Sequence, residues 1–511
     1  MTDFPWLTVL ILVPLVGAVV TAFAPRNSAK AIGLGASVLT LVLAVVAATQ
    51  FKTGGEGLQL VEDVDWIAPL GIHYALGLDG LGLLMVLLTV VLIPLVLLAA
   101  WPDAEEDGSA GPRSFVAWTL ALEAMSLAVF TATDVFLFYV VFEATLIPAY
   151  FLIAGFGREG RSRAAVKFLI YQLAGGLIML LSVIGLYVQA SKTGSASYLL
   201  TDLSQLTLDP TVEKWLFAGF FIAFAIKAPM FPVHTWLADT TQKASTGVSV
   251  LLVCILDKIG TFGMLRFCLG LFPEASKWAT PVVVVLALIS IIYGALVAIG
   301  QDDVLRLIGL TSLSHFGFIV LGIFVFNANG GAGAILYMVN HGIGTAALFL
   351  LAGFLIRRTG TASIKQMAGL EKSVPILAGF MLVAGLAACG LPGLSPFVSE
   401  VLVVIAAFDH AWWAGAVAVV AIVLAAIYIL WLYQRTFTGP REFEPVSHDL
   451  GGREIGAVAP LLIGLLVFGF YPMPLLNVIN PYVESTLTHV GVAEPGPTVP
   501  AGEAAQEGAH Q

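Results

Sequence analysis

Residues 220–258 read FFIAFAIKAPMFPVHTWLADTTQKASTGVSVLLVCILDK, two apolar segments that each carry a lysine near the middle. An ionisable side chain at the centre of a bilayer costs about 2.5–3.5 kcal/mol on insertion scales, so Lys227 and Lys258 require a compensating role. Pro229 and Pro232 follow Lys227 at once, and proline breaks a helix because it removes a backbone donor and its ring clashes with the preceding turn. The stretch therefore predicts an ion pathway at a broken membrane helix.

The rest of the chain is as apolar as this stretch. Of its 511 residues, 59% are hydrophobic and 11% are charged, and the mean hydropathy is +0.96. Such values exclude a protein with an ordinary solvated surface. Apolar runs long enough to cross the about 30 Å hydrocarbon core of a bilayer recur along the chain. The sequence therefore predicts an all-α polytopic membrane protein with about 14 transmembrane helices, of which helices 7 and 12 are broken.

The chain contains a weak internal echo. KFLIYQLAGG around Tyr171 resembles AILYMVNHG around Tyr337, and Pro229 and Pro232 have counterparts in LPGLSP at residues 391–396. The offsets of the two matches are similar, 166 and 163 residues. An odd number of helices per unit turns the second copy upside down, as in transporters whose broken helices meet near the midplane. A chance match between Gly- and Ala-rich helices is the alternative.

These matches divide the chain into five parts. We predict helices 1–3 with an acidic outer loop in residues 1–112, a first five-helix repeat of helices 4–8 in 113–272, a second, inverted repeat of helices 9–13 in 273–438, helix 14 in 439–476, and an outer, mostly disordered tail in 477–511.

The loop after helix 2, residues 52–77, is acidic and contains the alternating piece LQLVEDVDW. Alternation of apolar and polar residues predicts a small hairpin outside the membrane. Most of the 23 Lys and Arg residues lie in loops on the opposite side, and short cytoplasmic loops carry the excess of bases. We therefore expect a bacterial-type inner (plasma) membrane location with both termini on the outer side.

Sequence patterns for cofactor chemistry are missing. Cys254, Cys268 and Cys389 are scattered without C-x-x-C spacing, which excludes a cysteine-held iron–sulfur cluster. The sequence has no G-x-G-x-x-G after a strand and no phosphate loop, so nucleotide chemistry would take place on another polypeptide. The net charge of −10 does not favour a nucleic-acid partner.

Four charged residues lie deep in predicted helices: Glu143, Lys227, Lys258 and Glu400. Unpaired, they would cost on the order of 10–14 kcal/mol of insertion free energy. Pairing Glu143 with Lys227 would reduce that cost, because a nearby carboxylate favours protonated lysine whereas desolvation favours the neutral amine. Withdrawal of the carboxylate would then release a proton. The alternative is a fixed buried ion pair that only holds helices 5 and 7 together.

Histidines extend this series. His315 and His341 lie in helices 10 and 11, and His234 follows Lys227 by seven residues. Histidine can relay protons near neutral pH, although a single such residue would more often hydrogen-bond two helices together. The sequence has no H-x-x-x-H pattern for a metal. Lys167 in helix 6 is a secondary candidate. The alternative is that it is simply the last residue of a cytoplasmic basic cluster.

Six motifs carry a family resemblance. They are GLDGLGLLMV at Gly77, FEATLIPAYFLIAGFG at Phe142, AAVKFLIYQLAGG at Ala164, AFAIKAPMFPVHTWLAD at Ala223, TSLSHFGF at Thr311 and LPGLSPFVSE at Leu391. As a set they resemble the antiporter-like membrane subunits of proton-pumping NADH:quinone oxidoreductase, respiratory complex I, and its M-subunit family most closely. The resemblance covers nearly the whole chain and implies proton translocation driven by remote quinone reduction.

The resemblance also implies roles for particular residues. Glu143 and Lys227 match the coupling pair of the family, and Lys258 matches its central lysine. His315 and His341 match relay groups along the central axis. In this family the proton would move from the cytoplasm to the outer side.

Glu400 matches the outer half-channel residue, where the L and N subunits and the related cation/proton antiporters usually have lysine. The resemblance implies no redox catalysis and no cofactor on this chain. FMN, iron–sulfur clusters and quinone are expected on partner subunits, and the expected neighbours are the L-like and N-like subunits and membrane lipids. A multisubunit cation/proton antiporter without redox coupling is the alternative function, and a purely structural scaffold is a third.

The chain departs from the family after HTWL. Where the family usually has P-D-A-H, this sequence has Ala238, Asp239, Thr240 and Thr241. A second loop histidine is therefore missing. The resemblance consequently does not supply a proton uptake route through position 241, whereas the membrane-centre lysines match the family.

Overall fold

A computed structural model describes residues 4–55, 57–101, 111–192, 197–440 and 448–492. The described chain is almost entirely helical. Its helices and strands, in chain order, are α1 (Trp6–Phe23), α2 (Arg26–Gln50), β1 (Gln59–Ile67), β2 (Ile72–Leu78), α3 (Gly80–Ala99), α4 (Gly111–Thr131), α5 (Val135–Gly155), α6 (Arg161–Lys192), α7a (Pro210–Lys227), α7b (Thr235–Lys243), α8 (Thr246–Leu269), α9 (Pro273–Ile299), α10 (Val304–Phe324), α11 (Ala328–Thr359), α12a (Pro375–Ala388), α12b (Ser395–His410), α13 (Trp412–Phe437), α14 (Gly452–Phe470) and α15 (Met473–Val490).

Twelve helices among the described residues are long and apolar enough to cross a membrane. The two interrupted segments, α7a–α7b and α12a–α12b, are not among these twelve and would supply two further crossings. This agrees with the predicted polytopic all-α class, while the count of 14 crossings stays a prediction. Many large apolar side chains point outward, Phe23, Leu181 and Phe470 among them, as expected for a surface that faces lipid.

The predicted breaks in helices 7 and 12 are present. The α7a helix ends at Lys227, and Pro229 and Pro232 lie in the non-helical link before α7b. The α12a helix ends at Ala388, and the link to α12b contains Gly390 and Gly393, both in the left-handed backbone region that favours glycine. Each break thus leaves backbone groups at mid-helix that no regular helical bond can satisfy.

The two interrupted helices have similar neighbours. The α7a helix packs along α6, and α12b packs along α11, so each predicted five-helix repeat places its broken helix beside its third helix. This arrangement agrees with the two predicted inverted repeats. The boundaries of the five predicted parts stay predictions.

The predicted hairpin is confirmed. Strands β1 and β2 pair antiparallel, with Asp63 opposite Ala75 and Val64 opposite Tyr74. The backbone N–H of His73 donates to Asp134 at the start of α5 (3.0 Å). Burial raises the pKa of Asp134, although this backbone hydrogen bond partly offsets the effect. The hairpin defines one side of the molecule, which we call the hairpin side.

The prediction of a mostly disordered tail from residue 477 is wrong for residues 477–490, which belong to α15. Pro481 and the polar residues of this segment hide its periodicity. Ile479, Val483 and Leu487 nevertheless form a buried stripe at helical spacing, and it packs on the hairpin side against α11 and α3. Residues 493–511 lie outside the described chain.

Candidate functional site

Lys227 is the last residue of α7a, at the helix break, and its side chain is buried. The carbonyl ends of α7a favour a cation at this position. Lys227 Nζ donates to Thr145 Oγ1 of α5 (3.2 Å) and lies 4.6 Å from the ring centre of Phe142. The broken helix thus presents the lysine to α5, as the prolines predicted.

Glu143, two residues before Thr145 on α5, is half-buried and faces α6. Its carboxylate packs over Gly176, where an added Cβ would lie 1.7 Å from Oε1. Glu143 and Lys227 interact electrostatically, yet no ion pair within 4.0 Å joins them in the described chain. The predicted contact between Glu143 and Lys227 is therefore not made in this conformation. Lys227 donates to Thr145 instead, and the Glu143 carboxylate lies against Gly176.

Lys258 lies in the fully buried helix α8. Its Nζ is 2.6 Å from His341 Nδ1 of α11 and 4.3 Å from the ring centre of Phe316. The α8 helix is π-helical over Leu251–Leu256 and Met264–Leu269, on both sides of the turn that carries Lys258. Such wide turns are rare and occur frequently at functional sites.

Asp257 is a further buried acid that lies between the two lysines. It interacts electrostatically with Lys227 and with Lys258, although no hydrogen bond or ion pair to either is present among the described residues. Adjacent residues of a helix point to different faces, which explains why Asp257 and Lys258 do not pair. As a connecting charge it was missed, because adjacency in sequence gives no sign that Asp257 also faces α7a.

His315 and His341 lie together at the centre of the molecule. Their ring centres are 5.1 Å apart with the rings nearly perpendicular. His315 Nε2 lies 3.3 Å from the Tyr428 hydroxyl of α13. The α10 and α11 helices that carry the histidines are almost wholly buried, so the pair is shielded from lipid.

Glu400 ends this row of buried groups on α12b. Its Oε1 accepts a hydrogen bond from the Tyr337 hydroxyl (2.8 Å). At the helix break Gly390 has φ +68°, and an added Cβ there would lie 1.9 Å from Glu400 Oε2. Only glycine fits here, since both its backbone conformation and its lack of a side chain are needed.

Sequence reasoning missed Tyr337 and Tyr428 as members of the site. Tyr337 precedes His341 by four residues on α11, which places both side chains on one helix face. That spacing was a usable signal for Tyr337. Tyr428 had none, because it lies in α13 far along the chain from both histidines.

The two secondary candidates lie outside this row. His234 stacks on Phe231 and meets Tyr293 edge to face, with ring centres 5.9 and 5.2 Å away. Lys167 pairs with Asp239 of α7b (2.6 Å), and Arg306 holds the other oxygen of the same carboxylate (2.7 Å). Lys167 is one-third exposed, which agrees with the alternative of a basic cluster at the membrane edge.

Thr241, which stands where the family usually has histidine, is turned into its own helix. Its hydroxyl donates to the Leu237 carbonyl (3.0 Å), and it packs so tightly on Gly309 that a Cβ there would lie 2.2 Å from Oγ1. No group of three or more His, Cys, Asp or Glu residues that could hold a metal ion is found in the described chain.

A profile of the family described as NADH:quinone oxidoreductase/Mrp antiporter, transmembrane, matches residues 132–425. NADH-quinone oxidoreductase subunit M of Mycobacterium tuberculosis is 49% identical over 98% of this chain and 97% of its own length. Subunit M of Rhodobacter capsulatus is 36% identical over 93% of this chain and 95% of its own. The chain belongs to this family, on its subunit M branch.

Solved structures agree with the subunit M assignment. A chain of respiratory complex I from Thermus thermophilus with bound NADH superposes with a TM-score of 0.87 at 33% identity, covering 95% of this chain and 100% of that one. A chain of the Mrp complex from Dietzia also reaches a TM-score of 0.87, but at 23% identity it shows the shared fold alone. The family match spans the row of buried groups from Glu143 to Glu400.

Proposed function

We propose that this subunit M family member translocates protons across the membrane as part of an NADH:quinone oxidoreductase. The observation that carries the proposal is the row of buried ionisable groups running through the molecule, from Glu143 at one end to Glu400 at the other. Charged groups at membrane depth are costly and mark ion pathways. The relatives named as subunit M and the complex I structure connect this row with a redox-driven complex.

Lys227 is the first switch of the proposed path. When the Glu143 carboxylate approaches Lys227 it favours the ammonium form, and when the carboxylate lies over Gly176, as here, desolvation favours the neutral amine. Movement of Glu143 therefore loads and unloads Lys227. Asp257, whose charge acts on both lysines, stabilises the proton on its way to Lys258.

From Lys258 the proton passes to His341 over a 2.6 Å contact. The lysine ammonium donates, the imidazole Nδ1 accepts, and the resulting imidazolium releases a proton from Nε2. His315 lies next in the row. The Tyr428 and Tyr337 hydroxyls can each donate and accept one hydrogen bond, so they connect His315 with Glu400.

Glu400 releases the proton on the hairpin side in this proposal. We assign the hairpin side to the outer face of a bacterial-type inner membrane, with both termini on that face, because most bases lie on the other side. Protons then move from the cytoplasm outward.

The driving free energy comes from partner subunits. We propose that they carry the FMN, the iron–sulfur clusters and the quinone, and that L-like and N-like subunits and membrane lipids surround this chain. On this view the chain itself performs no redox step. Quinone reduction acts from a distance by setting the position of Glu143.

Replacement of Lys227 by alanine tests the proposal. We expect the Lys227→Ala complex to assemble and to lose most of its NADH-driven proton uptake into inverted membrane vesicles, measured by quenching of a pH-sensitive dye. The matched control is Lys214→Ala, which removes a half-buried base that lies over Trp278 at the other end of the same helix and should leave pumping unchanged. An unchanged number of protons per electron in Lys227→Ala would exclude the proposed path.

A second candidate is a subunit of a multisubunit cation/proton antiporter without redox coupling. The fold shared with the Mrp complex favours it, whereas the higher identity to subunit M relatives and the glutamate at position 400 favour the redox-coupled function. Deletion of the gene separates the two. Loss of NADH-driven proton pumping is expected, and a growth defect confined to high sodium would favour the antiporter.

A further inference from the structure

A cavity of about 310 Å³ lies on the hairpin side, away from the row of proton-transfer groups. Its walls come from the chain before β1, the start of α3, the end of α8 and α15. One part of the lining is apolar, with Phe51, Leu58 and Val478, and another part is polar, with Arg266 and Ser485. The volume lies at the lower end of the about 300–1,000 Å³ range of small-molecule sites.

Arg266 is the feature that makes this cavity a site. Its side chain is only 3% exposed, and Nη2 donates to Asp79 Oδ2 over 2.6 Å. Asp79 uses its other oxygen to cap α3, accepting from the Gly82 N–H (2.8 Å). Nε and Nη1 of Arg266 are also buried, and neither makes a well-formed hydrogen bond in the described chain, although the Tyr482 hydroxyl lies beside the guanidinium.

Unmet donors of this kind are unusual. A buried N–H of a charged group that lacks an acceptor carries the full cost of its desolvation, and native structures contain few such groups. Asp79 accepts from Arg266 Nη2 through one oxygen and from the Gly82 N–H through the other, and it accepts from neither Nε nor Nη1. The remaining donors of Arg266 therefore fit an acceptor from outside the chain, and guanidinium groups suit the oxygens of phosphates and carboxylates.

The local helix geometry is a second, independent sign. Arg266 lies within the π-helical turn Met264–Leu269 at the end of α8, and such turns occur frequently at functional sites. The guanidinium also lies 4.9 Å from the ring centre of Phe262, which fixes its orientation. The Phe262 ring and the π-helical turn thus fix the position of the arginine, while its Nε and Nη1 make no well-formed hydrogen bond.

We propose that this cavity binds an anionic amphiphile, whose phosphate or carboxylate accepts hydrogen bonds from Arg266 Nε and Nη1 and whose apolar part lies against Phe51, Leu58 and Val478. The head group could belong to a phospholipid or to a fatty acid, and both present the same acceptor chemistry. The bound molecule would join α15 to the end of α8. The proposal makes no use of the proton-transfer groups and stands or falls independently of the proposed function.

The test uses dodecyl phosphate with a photoreactive diazirine near the chain end, applied to membranes that contain the assembled complex. Labelled peptides are mapped by mass spectrometry. We expect saturable labelling of α15 and of the end of α8, competed by unlabelled dodecyl phosphate or dodecanoate and not by dodecanol. Stronger competition by the phosphate assigns the site to a phospholipid head group, and stronger competition by the carboxylate assigns it to a fatty acid.

Two variants separate binding from folding. Arg266→Lys keeps the charge beside Asp79 and removes the guanidinium fork, and Ser485→Trp fills the cavity from an exposed position of α15. Both should reduce labelling of these segments at least ten-fold, whereas Lys277→Gln, which removes an exposed base of α9, should leave it unchanged. Undiminished labelling in both variants, equal competition by dodecanol, or no labelling of these segments would overturn the proposal.

Discussion

Two glycines control the carboxylates at the ends of the buried row. Gly176 allows the Glu143 carboxylate to lie against α6, and Gly390 allows the break in helix 12 to close over Glu400. In both cases an added methyl group would overlap a carboxylate oxygen. The chemistry of the row therefore depends on residues that carry no polar side chain themselves.

Gly176→Ala should change the coupling without removing any charge. The new methyl group excludes Glu143 from its position on α6 and forces the carboxylate away from that helix. Overpacking of this kind costs about 1–3 kcal/mol, so the subunit should still fold. We expect fewer protons pumped per electron, measured from dye quenching and NADH oxidation in the same vesicles.

The control for this change is Gly379→Ala. Gly379 lies in α12a, where an added Cβ would contact nothing within 4 Å, and alanine there should be neutral or slightly stabilising. Equal proton-to-electron ratios in Gly176→Ala and Gly379→Ala would show that the position of Glu143 over α6 has no part in coupling.

Tyr337→Phe tests the outer end of the row. The change keeps the ring and removes only the hydroxyl that donates to Glu400 Oε1 (2.8 Å), so packing should be retained. We expect slower pumping because the carboxyl loses its connection to the histidines. Tyr433→Phe in α13, whose ring stacks on Phe437 away from this row, is the matched control, and an unimpaired rate in Tyr337→Phe would contradict the assigned role.

At the scale of elements, the interrupted helices are what the sequence predicted best. Prolines in the α7 link, and Gly390, Pro392 and Gly393 in the α12 link, excluded a continuous helix in each case, because both residue types disfavour helical backbone. The π-helical turns of α8 could not be predicted from the sequence. Residues 251–258 read LLVCILDK, which fits a regular helix equally well, and the wider turn arises from packing between α8 and its neighbours.

Individual contacts were harder to predict than elements. Glu143 and Lys227 were expected to touch, because opposite charges at membrane depth stabilise each other. The structure instead gives Lys227 a neutral partner, Thr145, and nothing in the sequence distinguishes that threonine from others in the helices. The apolar stripe of α15 is visible in the sequence, but Pro481 lies within it and argues against a continuous helix.

Arg357 and Arg358 of α11 both form ion pairs with Glu454 of α14. Arg358 Nη2 lies 2.5 Å from Glu454 Oε2, with only 2% and 8% of the two side chains exposed. Glu454→Ala would leave the buried Arg358 guanidinium with backbone carbonyl acceptors only, and loss of one partner of a buried ion pair costs about 3–5 kcal/mol. We expect the variant to become protease-sensitive at a clearly lower temperature, followed by blotting of the tagged subunit in isolated membranes.

The exposed pair between Glu274 and Lys277 provides the comparison. These groups lie 2.6 Å apart, but 70% of the Glu274 side chain is exposed, and exposed pairs contribute about 1 kcal/mol or less. Glu274→Ala should therefore shift the transition little. A shift as large as that of Glu454→Ala would mean that burial does not decide the strength of these pairs.

At the scale of the whole molecule, the apolar composition predicted a membrane protein, and the apolar outer surface of the helices agrees with it. The six groups at the centre of the sequence hypothesis, Glu143, Lys227, Lys258, His315, His341 and Glu400, lie in one row. They could be found because each is polar within an apolar helix. Which of these groups contact one another could not be predicted, since those contacts join helices that are distant in sequence.

The central claim is that this row conducts protons, and Lys258 is its middle link, in contact with His341. The direct test is the proton-to-electron stoichiometry of the assembled complex in proteoliposomes with Lys258→Met, a change that keeps the length of the side chain and removes its charge. The account predicts a lower stoichiometry, with the complex intact and quinone reduction still measurable. A stoichiometry equal to that of the unaltered complex would contradict it.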